Sequence, residues 1–90
     1  MAKVNVDPEE LRRFAKDLSR FNEELGKLCG GLKAKMNNLE KSWNDQEQAK
    51  FSSEFDITIK SLARFIELSD THAKTLMKKA HHVEEYLRQR

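Results

Sequence analysis

Little of what usually braces a small domain is present in these 90 residues. The single cysteine, Cys29, cannot close an intramolecular disulfide, and no Cys/His spacing suits structural zinc. One proline and three glycines, against 36% charged residues, describe a helical and well-solvated chain. Neither charge sign dominates: 17 Lys and Arg stand against 15 Asp and Glu, for a formal net charge of +2. That excess is too small for charge-driven nucleic-acid binding, so no nucleic-acid partner is expected. No apolar run is long enough to span a bilayer. Met1 to Val6 contain neither an apolar signal-peptide core nor a cleavage site, so the expectation is cytoplasmic synthesis without a cleaved signal peptide.

What is present is periodicity. The mean hydropathy is only −0.81, yet the apolar residues recur at helical spacing, so the chain reads as folded. The expected architecture is all-α, one domain over residues 1–90, with helix 1 about 8–41, a turn about 42–45 and helix 2 about 46–89. A domain this small is marginal by itself, and without disulfide or metal the remaining reinforcement is oligomerisation.

Asp7-Pro8-Glu9-Glu10 supplies an N-cap acid, proline at the first helical position and acids at the positive end of the helix dipole. Leu11, Phe14, Leu18, Phe21, Leu25, Leu28 and Leu32 then follow in alternating steps of three and four, a heptad seam. Met36, Leu39 and Trp43 continue it after a stutter, next to Gly30-Gly31. The pattern resumes without turn residues, so the helix is expected to run through both glycines. The break falls at Ser42 to Asp45, where Asp45 with Gln48, or Asn44 with Glu47, can start the second helix. A second seam runs Phe51, Phe55, Ile59, Leu62, Ile66, Ser69, Ala73, Leu76, Ala80, Val83 and Leu87.

Two helices joined by so short a turn run antiparallel. The seams are expected to face each other, with Trp43 plugging the bend. That leaves Cys29 on helix 1 and Ile57, Phe65, Leu68, Met77 and Tyr86 on helix 2 with nothing to cover them. Uncovered apolar patches mark partner surfaces. The expectation is a dimeric four-helix bundle, its dimer face formed by Gly30, Gly31, Ile57, Phe65 and Leu68.

Nothing in the sequence offers catalysis, a cofactor or a metal. There is no phosphate-binding glycine loop and no nucleophile motif, and Cys29 stands alone. His72, His81 and His82 lack the i, i+3 or i, i+4 spacing of a helical metal site. The chain is expected not to be an enzyme.

Its size, paired helices and central motif Leu39-Glu40-Lys41-Ser42-Trp43-Asn44-Asp45, followed by Phe51 and Phe55, resemble the WXG100 family. These are ESAT-6-like small helical proteins linked to type VII secretion. Asp45 stands where the family carries glycine, giving Trp-x-Asp in place of Trp-x-Gly. The family's export signal, Tyr-x-x-x-Asp/Glu, is matched only at Tyr86, because Arg90 occupies the acid position. The resemblance implies a homodimer, or a heterodimer with a related small helical protein. It also implies a role as substrate, chaperone or accessory component of a type VII-like secretion system, with a secretion ATPase as a further partner and secretion by that route. A different class of function, an intracellular helical adaptor that is not secreted, fits the same periodicity.

Overall fold

The computed structural model describes residues 6–89; the readings that fall on Met1 to Asn5 and on Arg90 lie outside the described residues. Two helices, α1 (Pro8–Leu39) and α2 (Gln46–Arg88), account for nearly all of them. They fold back on each other into an antiparallel rod measuring 68 × 21 × 14 Å. Three side-chain ties give the register: Arg12 with Glu84, Asn22 with Asp70, and Ser52 with Glu40. The residue numbers fall on one helix as they rise on the other, which is the signature of a hairpin.

Both helix starts are capped by aspartate. Asp7 Oδ1 accepts from the Glu9 backbone N–H at 2.9 Å, with Pro8 in the first turn, and Asp45 Oδ1 accepts from Gln48 N–H at 2.9 Å. Each removes one of the donors that a helix start leaves without a partner. Helix α1 passes through Gly30 and Gly31 without interruption. A Cβ at either position would meet nothing within 4 Å, so neither glycine is needed for close approach to α2. Gly26 is the one that faces α2, its notional Cβ 4.0 Å from Ile66 Cδ1.

The contact between the helices corrects the sequence reading of α1. Its buried residues are Ala15, Asn22 and Met36, with Cys29 half-buried in the same row of seven-residue steps. Leu11, Leu18 and Leu25 flank that row, half-buried. Phe14, Phe21 and Leu28, expected in the seam, are 58%, 53% and 66% exposed. The seam is therefore rotated by one residue, from Phe14/Phe21/Leu28 to Ala15/Asn22/Cys29. Small side chains let the two backbones approach; the large ones are turned onto a neighbouring face. On α2, Ile59, Ser69, Ala73, Ala80 and Val83 of the expected seam are buried, while Phe51 and Leu87 at its two ends are exposed.

The consequence for stability is direct. None of the five phenylalanines is buried: four are exposed and Phe55 is half-buried. A core of alanines, one methionine, one isoleucine and one valine removes little apolar area from water, at roughly 25 cal/mol per Å². The hairpin alone is a thin structure.

One edge of the seam is polar. The Arg12 guanidinium donates to both oxygens of the Glu84 carboxylate, one bond measuring 2.8 Å, and reaches Glu9 at 3.1 Å. Accepting from Arg12 holds the Glu84 carboxyl below its ordinary value of 4.5. A carboxyl with a depressed folded-state pKa stabilises the fold above its unfolded value, and that contribution disappears as pH falls through the folded value. Glu84→Gln is expected to lower stability at neutral pH and to make it less sensitive to acid below about pH 4.5, as read by thermal melts at a series of pH values. Further along, Asn22 Nδ2 donates to Asp70 Oδ1 at 2.9 Å while Asn22 Oδ1 is buried without a partner. A polar residue in a heptad seam fixes register at some cost in stability.

Candidate pairing face

The functional geometry starts at the bend. Glu40 to Asp45 close it with every φ negative. The Trp43 and Ser42 N–H groups both donate to Leu39 O at 3.0 Å. Asp45, in the glycine position of the family motif, has φ −90° and ψ −172°. That is extended backbone open to any residue, so glycine's freedom is not required and the carboxylate is used as a cap. Because α2 starts well before the level at which α1 ends, its first turns have no helix opposite. The turn covers them instead: Ser52 Oγ donates to Glu40 Oε1 at 3.0 Å, and Trp43 lies on Phe51 with ring centroids 5.8 Å apart. Phe51 stacks in turn on Phe55 at 5.9 Å. Trp43 is half-buried, at one end of an aromatic ladder, and Asn44 is exposed.

From this ladder a broad apolar face runs along one side of the rod. Near the bend, Leu32, Leu39, Phe51 and Phe55 line a shallow groove with Lys35 at its edge. Nearer the open end, Phe14, Leu18, Phe65, Leu68 and Leu76 line a groove of about 570 Å³, bordered by Ser69, His72 and Thr75. Phe21 and Leu28 continue the Phe14 row between the two grooves, by steps of seven. The opposite side of the seam is polar, formed by Lys16, Ser19, Glu23 and Lys27 with Met77.

Of the residues read as a dimer face, Phe65 and Leu68 lie on this apolar side. Gly30 falls in the row of Lys16 and Glu23 on the polar side, Gly31 in the row of Glu10, Asp17 and Glu24 at the rim. Ile57 shares its row with Arg64 and Lys78, on the back of α2 away from α1, and is 63% exposed. Tyr86 is exposed in the row of Phe65, His72 and Lys79. The sequence reading missed Phe14, Phe21 and Leu28 as face residues because it assigned them to the hairpin's own seam. The available signal was the parallel row Ala15, Asn22, Cys29 and Met36, which offers α2 a smaller surface. Among the described residues, no group of three or more His, Cys, Asp or Glu side chains is placed to hold a metal, and no helix is long and apolar enough to cross a membrane.

An exposed apolar face on a paired-helix rod, closed by a Trp-x-Asp bend, agrees with what comparison with known proteins returns. Residues 3–86 match the family model WXG100, described as proteins of 100 residues with WXG. No curated protein matches the chain. Among solved structures it is similar to the secreted protein EsxB of Bacillus anthracis str. Sterne. The wild-type structure shares 27% identity, with 94% of this chain and 99% of that chain covered and a TM-score of 0.82. The selenomethionine-labelled form gives 27% identity, 96% and 98% coverage, and a TM-score of 0.80. The match spans both helices and the bend between them, with Trp43 in the turn and aspartate two residues on. The chain belongs to the WXG100 family.

Proposed function

We propose that this chain works by noncovalent pairing with another WXG100 hairpin, the two forming a four-helix bundle, and that the pair passes through or serves a type VII-like secretion system. The observation that supports pairing is the outward placement of Phe14, Phe21, Leu28, Leu32, Phe65 and Leu68 on a hairpin whose own core is small. Covering them with a second hairpin doubles the number of helices around one core, the arrangement that stabilises four-helix bundles. Membership of the WXG100 family and similarity to a secreted protein support export by a route that removes no leader. In this reading the chain is substrate, chaperone or accessory component, and an FtsK/SpoIIIE-type ATPase is the machine that moves it. Its work is binding, with no catalytic step.

Tyr86 is exposed near the end of α2, where a translocating machine could reach it. Arg90 stands where the acid is expected four residues later; a hairpin of different sequence in a heterodimer would supply it, and a second copy of this chain would not.

The test is detection of the protein in culture supernatant from cells with and without that ATPase. Loss from the medium on deletion of the ATPase is the expected result. Retention inside ATPase-competent cells would favour an intracellular adaptor instead.

A further inference from the structure

Positive charge is concentrated on one stretch of this rod. Residues 12–22 of α1 and 71–83 of α2 lie side by side, between the Arg12–Glu84 and Asn22–Asp70 ties. Together they hold seven of the 17 Lys and Arg but one of the 15 Asp and Glu, so the rest of the chain is net acidic. Four of these cations gather on the polar side, across the rod from the apolar face. Lys16 and Arg20 line its groove with Ser19 and Met77. Lys74 and Lys78 lie beside Met77 on α2, Lys78 at the border with the back. The two ties put Lys16 about level with Lys78, and Arg20 about level with Lys74. All four are exposed, and among the described residues none of them takes part in an ion pair.

The quartet inverts the pattern found elsewhere on the rod. Residues three or four apart are neighbours on a helix surface, and Glu9–Arg12, Glu23–Lys27, Asp56–Lys60 and Glu85–Arg88 place opposite charges there. Lys16–Arg20 and Lys74–Lys78 place like charges there, at a cost to each helix. Nearby acids do not offset them. Glu23 is committed to Lys27 and Asp70 accepts from Asn22, while Glu24, which also lines the groove, lies a turn beyond Arg20 toward the bend. We infer that this side of the rod is a docking surface for an anionic phospholipid membrane, held by charge and without insertion. Clusters of four or more Lys and Arg on an amphipathic helix are the pattern that gathers acidic lipids. A fluid headgroup layer suits cations on flexible stems with no fixed partner, because lipids can diffuse to them. A discrete phosphate or carboxylate ligand calls for donors already held in place. Nucleic acid is the poorer fit. No aromatic ring stands among the four cations to stack on a base, and a net charge of +2 is too small to hold a duplex along the rod. Met77, 39% exposed, is the only large apolar side chain lining that groove, so the surface has no apolar wedge to push between lipids. It stays open when a second hairpin covers the apolar face.

The test is cosedimentation of the full-length chain with vesicles of phosphatidylcholine alone and of phosphatidylcholine mixed with phosphatidylserine. The wild-type chain is expected to bind only the mixed vesicles and to leave an entrapped dye inside them. It should be released as ionic strength rises from about 0.05 M to about 0.5 M. Replacing the quartet by Lys16→Gln, Arg20→Gln, Lys74→Gln and Lys78→Gln is expected to lower the partition coefficient by roughly a hundredfold. A control removes the same charge elsewhere on the rod, by Lys33→Gln, Lys41→Gln, Lys50→Gln and Arg64→Gln, and should change it less than about threefold. All eight side chains are exposed, and circular dichroism checks that each variant keeps its helices. If the quartet variant loses helicity, Lys16→Gln with Arg20→Gln, and Lys74→Gln with Lys78→Gln, carry the same test at about tenfold each. A wild-type chain that ignores phosphatidylserine, or a control that loses as much as the quartet variant, overturns the proposal. Binding that survives the salt or releases the dye does the same. Nucleic acid held as tightly at equal ionic strength, and lost with the quartet, would assign the cations to it and overturn the lipid surface. Pairing is read separately, from a molar mass that the quartet variant leaves unchanged.

Discussion

Phe14→Glu combined with Phe65→Glu is expected to leave the hairpin folded and to weaken its pairing by about a hundredfold or more, the equivalent of roughly 2.7 kcal/mol. Both rings line the larger groove, and both are about half exposed in the isolated hairpin, at 58% and 48%. Within one hairpin their replacement therefore removes little burial, and an effect under about 1 kcal/mol on its stability is expected. Beneath a second hairpin the same positions become core. There the variant loses two aromatic anchors and leaves carboxylates to be desolvated without cations beside them. Circular dichroism and sedimentation on the same samples separate the two effects: helicity is retained and mass is lost. A double variant that unfolds, or one that pairs as wild type does, places these residues elsewhere in the energetics.

The complementary expectation concerns the hairpin's own seam. Ala80 is fully buried, and with Ala73 it lies on α2 across from the stretch of α1 containing Ala15, between the Arg12–Glu84 and Asn22–Asp70 ties. Alanines on both sides are what let the helices approach there. Ala80→Leu forces extra methyl groups into that contact, which costs about 1–3 kcal/mol in a packed core. In a domain of this size each kcal/mol lowers Tm by roughly 4–8 °C, so a fall of about 5–20 °C is expected in a thermal melt. Ala34→Leu, on the exposed back of α1, serves as the control and should leave Tm almost unchanged.

These two experiments separate surfaces that the sequence presents as one. On α2 the seam Ile59, Ser69, Ala73, Ala80 and Val83 was legible, because a run free of proline and glycine holds its phase from bend to C-terminus. The bend was legible too, since Trp43 sits between two periodic stretches and an aspartate stands ready to cap the second. Helix α1 was legible in extent but not in rotation. Its largest apolar residues follow a heptad, and hydrophobicity alone assigns the largest to the nearest seam. Packing decides otherwise: a contact between two close helices selects Ala15, Asn22 and Cys29 for size, and leaves Phe14, Phe21 and Leu28 for a wider interface. Asn22 has its place in that parallel row, but its bond was not legible, because only the position of Asp70 across the hairpin shows what its side chain meets.

The bend also explains how the motif tolerates aspartate. A glycine is indispensable where φ must be positive, and Asp45 has φ −90°. The position asks for extended backbone followed by a helix start, and aspartate provides the second of these better than glycine does. At the bend, Trp43 packs on Phe51 of the first turns of α2, and Phe51 stacks on Phe55.

The molar mass of the purified wild-type chain, measured by light scattering across the micromolar range, tests most directly whether the apolar face is covered by a second copy of this chain. Self-pairing predicts twice the 10.5 kDa of one chain, falling toward the single-chain value only on dilution. A mass of 10.5 kDa throughout that range, from a chain that is nonetheless fully helical, would contradict it.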